Sequence, residues 1–147
     1  MRFMVLVKAS DDSEAGHPPP AELIDKMMRF NLEMVKAGVM LAADGLQPSS
    51  KGARITFSGK GKPTVVDGPF AETKELVAGY WMIQAKSKEE AIEWISRSPF
   101  THGETVEIRQ VFEMDDFPSD VVTPEAVALE AEMHAHMAQK TAQEPKE

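Results

Sequence analysis

At 147 residues the chain is long enough for one domain with its own hydrophobic core, and the absence of cysteine removes disulfides, thiolate metal sites and a cysteine nucleophile. The net charge of −8 is unevenly placed: residues 1–112 hold 14 Lys/Arg against 15 Asp/Glu, and residues 113–147 hold 2 against 9. A neutral body with an acidic tail has no basic footprint for nucleic acid and is repelled by anionic membrane surfaces, so neither is expected as a partner.

In chain order, Arg2 to Lys8 reads as a strand that is apolar on both alternating faces (Phe3, Val5, Val7 and Met4, Leu6), as expected of an interior position. Its apolar run is far shorter than a membrane span and lacks the basic start and cleavage site of a signal peptide, so a reducing cytoplasm is the expected location. Ser10 to Pro20 reads as a polar, proline-rich loop. From Ala21 to Ala37 the period turns helical, with Leu23, Ile24, Met27, Met28, Met34 and Val35 on one arc and Gly38 as the stop. Asn31 projects into that apolar arc, where a buried amide must tie down a core group or face a cavity.

Val39 to Ala43 is the second strand, closed by Asp44-Gly45. Arg54–Phe57 and Thr64–Val66 form a hairpin around Ser58-Gly59-Lys60-Gly61-Lys62-Pro63, a tip without the spacing or the following helix of a phosphate loop. Gly79 to Ala85 is the next strand. Ser87-Lys88-Glu89-Glu90 is a capping box that opens a short helix to Arg97, with Ala91, Ile92 and Ile95 on its buried face. Val106 to Phe112 is the last core strand. Met114 to Val122 is an acidic linker, and Thr123-Pro124 opens a helix to about Gln143 with a narrow stripe of Ala126, Leu129, Met133 and Met137. Residues 1–113 thus form the domain, and 114–147 a linker and helix.

The order β-α-β, hairpin, β-α-β predicts an α+β ferredoxin-like sandwich, an antiparallel sheet with helices on one face and a hairpin insertion. The other face is left bare, with Trp81, Ile83 and the second apolar faces of its neighbours exposed on a monomer, so dimerisation through the sheet is expected. No metal constellation is evident: His134 and His136 stand about 200° apart around their helix and cannot chelate one ion. No cofactor fingerprint, nucleophile elbow or internal repeat is found. The ten methionines read as core and interface filler.

The richest stretch runs from Val66 to Trp81. It breaks at Gly68-Pro69, crowds Glu72, Lys74 and Glu75 into one or two turns, and re-enters a strand at Gly79. A turn explains the glycine and proline but not the charges, so this segment is expected to rim a pocket. Asp67-Gly68-Pro69-Phe70, Glu72-Thr73-Lys74-Glu75, Gly79-Tyr80 and the helical Glu-Glu-Ala-Ile-Glu-Trp resemble the DGPF subgroup of YCII-related proteins over about Met1 to Glu113. The resemblance implies a dimeric α/β barrel of bacterial origin, in a family with little characterised activity and an association with extracytoplasmic-function sigma factors. Relatives of the YCII type have a proposed site in which a histidine on the first helix meets an aspartate. Here that helix carries no histidine.

The candidate catalytic residues are Asp67, as general base or polar anchor, and His102, as acid or base near neutrality. Either has a plainer reading: Asp67 bonds the amides of its own turn, and His102 is a solvated loop residue. Asn31, Asp44, Glu72, Lys74, Tyr80 and Arg109 complete the candidate ligand set, with Glu72 and Lys74 otherwise an exposed ion pair and Tyr80 sheet core. Asp67, Asn31 and His102 are expected to meet at one end of the sheet. Two functions follow: a homodimer that binds a small molecule in a cleft lined by Asp-Gly-Pro-Phe, without catalysis, or a lyase or isomerase using Asp67 and His102.

Overall fold

The computed structural model describes residues 1–101 and 103–143. They form two compact units, Met1–Val111 and Phe112–Glu147. The first is a mixed α/β unit whose four-stranded antiparallel sheet contains β1 (Arg2–Lys8), β2 (Met40–Gly45), β5 (Val77–Gln84) and β6 (Val106–Gln110) in the order β2-β5-β1-β6. That order, with helix α2 (Ala21–Lys36) following β1 and helix α3 (Lys88–Ser96) following β5, agrees with the expected ferredoxin-like arrangement. A separate two-stranded sheet, β3 (Ala53–Thr56) and β4 (Thr64–Asp67), is inserted between β2 and β5.

Strand register sorts every side chain to one face or the other. Ala43, Trp81, Val5 and Ile108 line up across the four strands in one row, and Ile83 pairs with Phe3 in the next. Both rows lie under the helices, against Phe30 and Met34 of α2 and Ala91 and Ile95 of α3. Trp81 and Ile83 are therefore core residues, 4% and 0% exposed, and the expectation that they lie on the bare face is corrected. Burial selects the opposite parity of the strand's period of two. Tyr80 and Met82 point away from the helices instead, because Trp81 is held by α2: its ring meets Phe30 edge-on at 6.0 Å, and its indole N–H donates to Asn31 Oδ1 at 2.8 Å. Asn31 satisfies the buried indole, and its amide faces a side chain rather than a cavity.

Helix α2 buries Phe30 and Met34 and half-buries Leu23, Met27 and Asn31, a spacing of three and four. Ile24, Met28, Leu32 and Val35, one step around the helix, are exposed, so the arc that faces the sheet is rotated from the projected one. Helix α3 starts at the Ser87 cap, whose hydroxyl accepts from the Glu90 N–H at 3.1 Å. The Glu90 carboxylate takes the Lys86 N–H rather than that of Ser87, so the box closes one residue early. Ser10 to Glu14 is not all loop: Ser10 and Ser13 cap each other around the single turn α1 (Asp11–Glu14).

The second unit holds a short turn at Met114–Asp116, Phe112 stacked on Phe117 at 5.0 Å, and helix α4 (Pro124–Gln143). Thr123 Oγ1 accepts the Ala126 N–H and opens α4. Leu129, Met133 and Met137 are exposed along it.

Candidate functional site

The face of the four-stranded sheet opposite the helices carries two cross-strand rows. One runs Asp44, Tyr80, Leu6, Glu107 from β2 to β6, and the other Ala42, Met82, Met4, Arg109. Four strands at about 4.8 Å spacing set the ends of each row about 14 Å apart. The middle of the face is apolar and half-buried, and its two edges are charged. Three of the candidate ligand residues, Asp44, Tyr80 and Arg109, fall on this face, brought there by register across 65 residues of chain.

At the β2 edge the Tyr80 hydroxyl donates to Asp44 Oδ2 at 2.8 Å. Loss of that hydrogen bond on ionisation, and then the charge of Asp44, hold the Tyr80 phenol above its ordinary value. Gly79 lets the two strands close: a Cβ there would lie 3.0 Å from the Asp44 carbonyl oxygen. At the β6 edge Glu107 accepts from Arg109 at 3.4 Å and pairs with Lys8 at 3.7 Å. This face can hold an apolar body over Met4, Leu6 and Met82. It offers acceptor oxygens at one edge and a guanidinium at the other.

The Asp-Gly-Pro-Phe stretch leaves β4 and leads into β5 near the Asp44–Tyr80 end of the large sheet, and its Gly68 and Phe70 N–H groups are both engaged. Gly68 N–H donates to the Gly52 carbonyl at 2.9 Å, and Phe70 N–H donates to Ser49 Oγ at 3.1 Å. Ser49 in turn donates from its N–H and its hydroxyl to the two oxygens of Glu14. A Cβ on Gly68 would fall 1.8 Å from the Ser49 carbonyl oxygen, so only glycine lets the two loops touch. Arg54 stacks over the Phe70 ring at 3.9 Å. The motif thus clamps one connection to another, and Glu14 and Ser49 are its working partners. Sequence reasoning missed both, since a contact across 35 residues leaves no local signal.

Asp67 lies on β4, opposite Ala53, and is exposed. Among the described residues its carboxylate bonds no amide of its own turn, against the plainer reading of Asp67. Asn31 is on the helix side of the sheet, bonded to Trp81, and does not join Asp67. His102 lies outside the described residues. Glu72 and Lys74 are exposed and do not pair with each other among the described residues. The expected meeting of Asp67 and Asn31 at one cleft is therefore not formed. No group of three or more His, Cys, Asp or Glu able to hold a metal occurs among the described residues, and no described helix is long and apolar enough to cross a membrane.

A shallow groove of about 400 Å³ runs between α3 and β6, on the helix side. Its walls are Ile92, Ile95, Val106 and Ile108, with Lys88 and Ser96 on the rim. None of the described candidate catalytic or ligand residues lines it.

Comparison with known proteins places this architecture. An uncharacterized protein of Rhizobium meliloti (strain 1021) is 38% identical over 60 residues, which cover 41% of this chain and 48% of that protein. The matching segment spans about half of that relative's length. Residues 1–115 match the model of the YCII-related domain, and the chain belongs to that family.

Proposed function

We propose that the open sheet face is the working surface of a homodimer, and that a small molecule binds at its Asp44–Tyr80 end without being chemically transformed. The observation that carries this reading is the register that gathers Asp44, Tyr80 and Arg109 around Met4, Leu6 and Met82 on the face opposite the helices. An apolar surface of that kind with few polar groups suits either a partner or a ligand, and a second sheet stacked on it forms a site between the two. A two-fold axis parallel to the strands sets the β2 edge of one copy over the β6 edge of the other, with Asp44 over Glu107, whose charge Arg109 and Lys8 already offset. With its hydroxyl proton committed to Asp44, Tyr80 presents acceptors, so the ligand is a donor-bearing molecule such as an amide, amine or polyol.

The Asp-Gly-Pro-Phe connection leads into this end of the sheet and forms the wall of the site by fixing the 46–52 and 68–76 loops. Acid–base chemistry by Asp67 is the less favoured reading, since its carboxylate stands exposed on the hairpin with no partner to tune it among the described residues.

The test is to denature the purified protein and identify released small molecules by mass spectrometry. Wild type is expected to release one compound in near-stoichiometric amount, and Tyr80→Phe and Asp44→Asn to lose it. Retention of the compound by both variants, or no compound and no binding in a thermal-shift screen of amides, amines and polyols, overturns the reading.

A further inference from the structure

We propose that the β3–β4 hairpin is an arm that lies on a second copy of this chain and clamps the dimer. The hairpin is two-sided by register. Ala53, Ile55, Val65 and Asp67 share one face, which Phe57 extends at the next alternate position, while Arg54, Thr56, Thr64 and Val66 share the other. Away from Asp67 at its base the first face is apolar and exposed: Ile55 is 56%, Phe57 76% and Val65 61% exposed. The second is engaged at its base, where Arg54 covers Phe70.

An isolated two-stranded hairpin is marginal in water, and the eight paired residues of this one are all exposed, with Arg54 over Phe70 as its contact at the base. What the apolar face requires is a surface, and charge says which. Residues 51–67 contain Lys51, Arg54, Lys60 and Lys62 against the single acid Asp67, a balance of +3, while the remainder of residues 1–111 holds 10 Lys/Arg against 14 Asp/Glu, a balance of −4. A cationic arm and an anionic body on one chain are complementary between two copies. The two connections that carry the arm leave the sheet at the Asp44–Tyr80 end and are cross-tied through Gly68 and Ser49, so the arm is held at its base beside the open face. From that base the strands and tip extend about 20 Å at ordinary strand rise, enough to pass from one stacked sheet, about 10 Å away, onto its far side.

This arm rests on the homodimer of the preceding section but uses different residues, so sedimentation analysis separates the two. The full-length protein is compared with Phe57→Asp/Val65→Asp, both exposed positions whose change leaves the core intact, with Lys60→Glu/Lys62→Glu, and with Leu6→Asp on the open face. The expected result is a wild-type dimer weakened about tenfold or more by Phe57→Asp/Val65→Asp. Lys60→Glu/Lys62→Glu is expected to weaken it as well, with the loss shrinking at high salt. Arm variants that dimerise with the wild-type constant overturn the arm, whether or not Leu6→Asp separates the copies. Dissociation by the arm variants with an intact Leu6→Asp dimer supports the arm and removes the open-face interface. A wild-type protein that stays monomeric throughout the micromolar range overturns both.

Discussion

The four-stranded sheet and the two-stranded hairpin draw on the same residue types, and the chain treats them in opposite ways. Phe3, Val5, Trp81 and Ile83 in the former are buried, while Ile55, Phe57, Val65 and Val66 in the latter face solvent. The difference lies in what covers them. Helices α2 and α3 close one face of the large sheet, and among the described residues no element of the first unit buries the paired residues of the small one. Apolar sequence alone does not make a core, because burial needs a second layer.

Substitutions measure that contrast. Ile83→Ala leaves a cavity under the helices and is expected to lower the unfolding free energy by about 2–5 kcal/mol in denaturant titration. Val65→Ala, at concentrations low enough to keep the chain monomeric, is expected to change it by no more than about 0.5 kcal/mol. Equal losses at the two positions would mean the hairpin is packed within its own chain.

Next in size is the tie between helix and sheet. Trp81→Phe removes the donor and strands the Asn31 oxygen, at a loss of about 1–3 kcal/mol. Trp81→Phe with Asn31→Ala is expected to cost less than the two single losses added together, since both report one bond. Strict additivity in the double-mutant cycle would remove Asn31 from the indole.

The clamp at the hairpin's base is tested with glycine. Gly68→Ala drives a methyl into the Ser49 carbonyl and is expected to cost about 1–3 kcal/mol, read as a lower melting temperature. Gly45→Ala, where the added carbon meets nothing within 4 Å, serves as the control and leaves the melt unchanged.

The smallest effect is on the open face. Tyr80 is the chain's single tyrosine, so phenolate absorbance reports it alone. Its titration is expected above the ordinary value of 10.0, because its hydrogen bond to Asp44 and then the Asp44 charge favour the neutral phenol. A raised folded-state value means the bond's stabilisation is fully present below the unfolded value and fades as pH climbs through the folded one. Asp44→Asn should return the midpoint toward 10.0. An unshifted wild-type titration would place the two side chains apart.

Much of the fold was legible in the residues. The order of strands and helices follows from the switch between periods of two and 3.6, and the breaks at Gly38 and Gly68-Pro69 sit where elements end. The site was legible only in pieces. Asp44, Tyr80 and Arg109 were singled out one by one, but their common face depends on pairings among β1, β2, β5 and β6. Asn31 was recognised as a polar residue in an apolar arc, while its partner lies 50 positions away.

Local sequence set the elements and their caps, because helix and strand periods, glycines, prolines and N-terminal hydroxyls act within a few residues. It also set the charge division between the cationic hairpin, its acidic surroundings and the acidic region beyond residue 112. Tertiary structure settled which alternate residues of β5 face the helices, which stripe of α2 meets the sheet, and that Gly68 serves contact with Ser49. Each is a choice between states that local physics leaves nearly equal: a strand turned over or a helix rotated by one residue keeps its propensity. Packing Trp81 between Phe30 and Asn31 and closing two loops on each other break that tie.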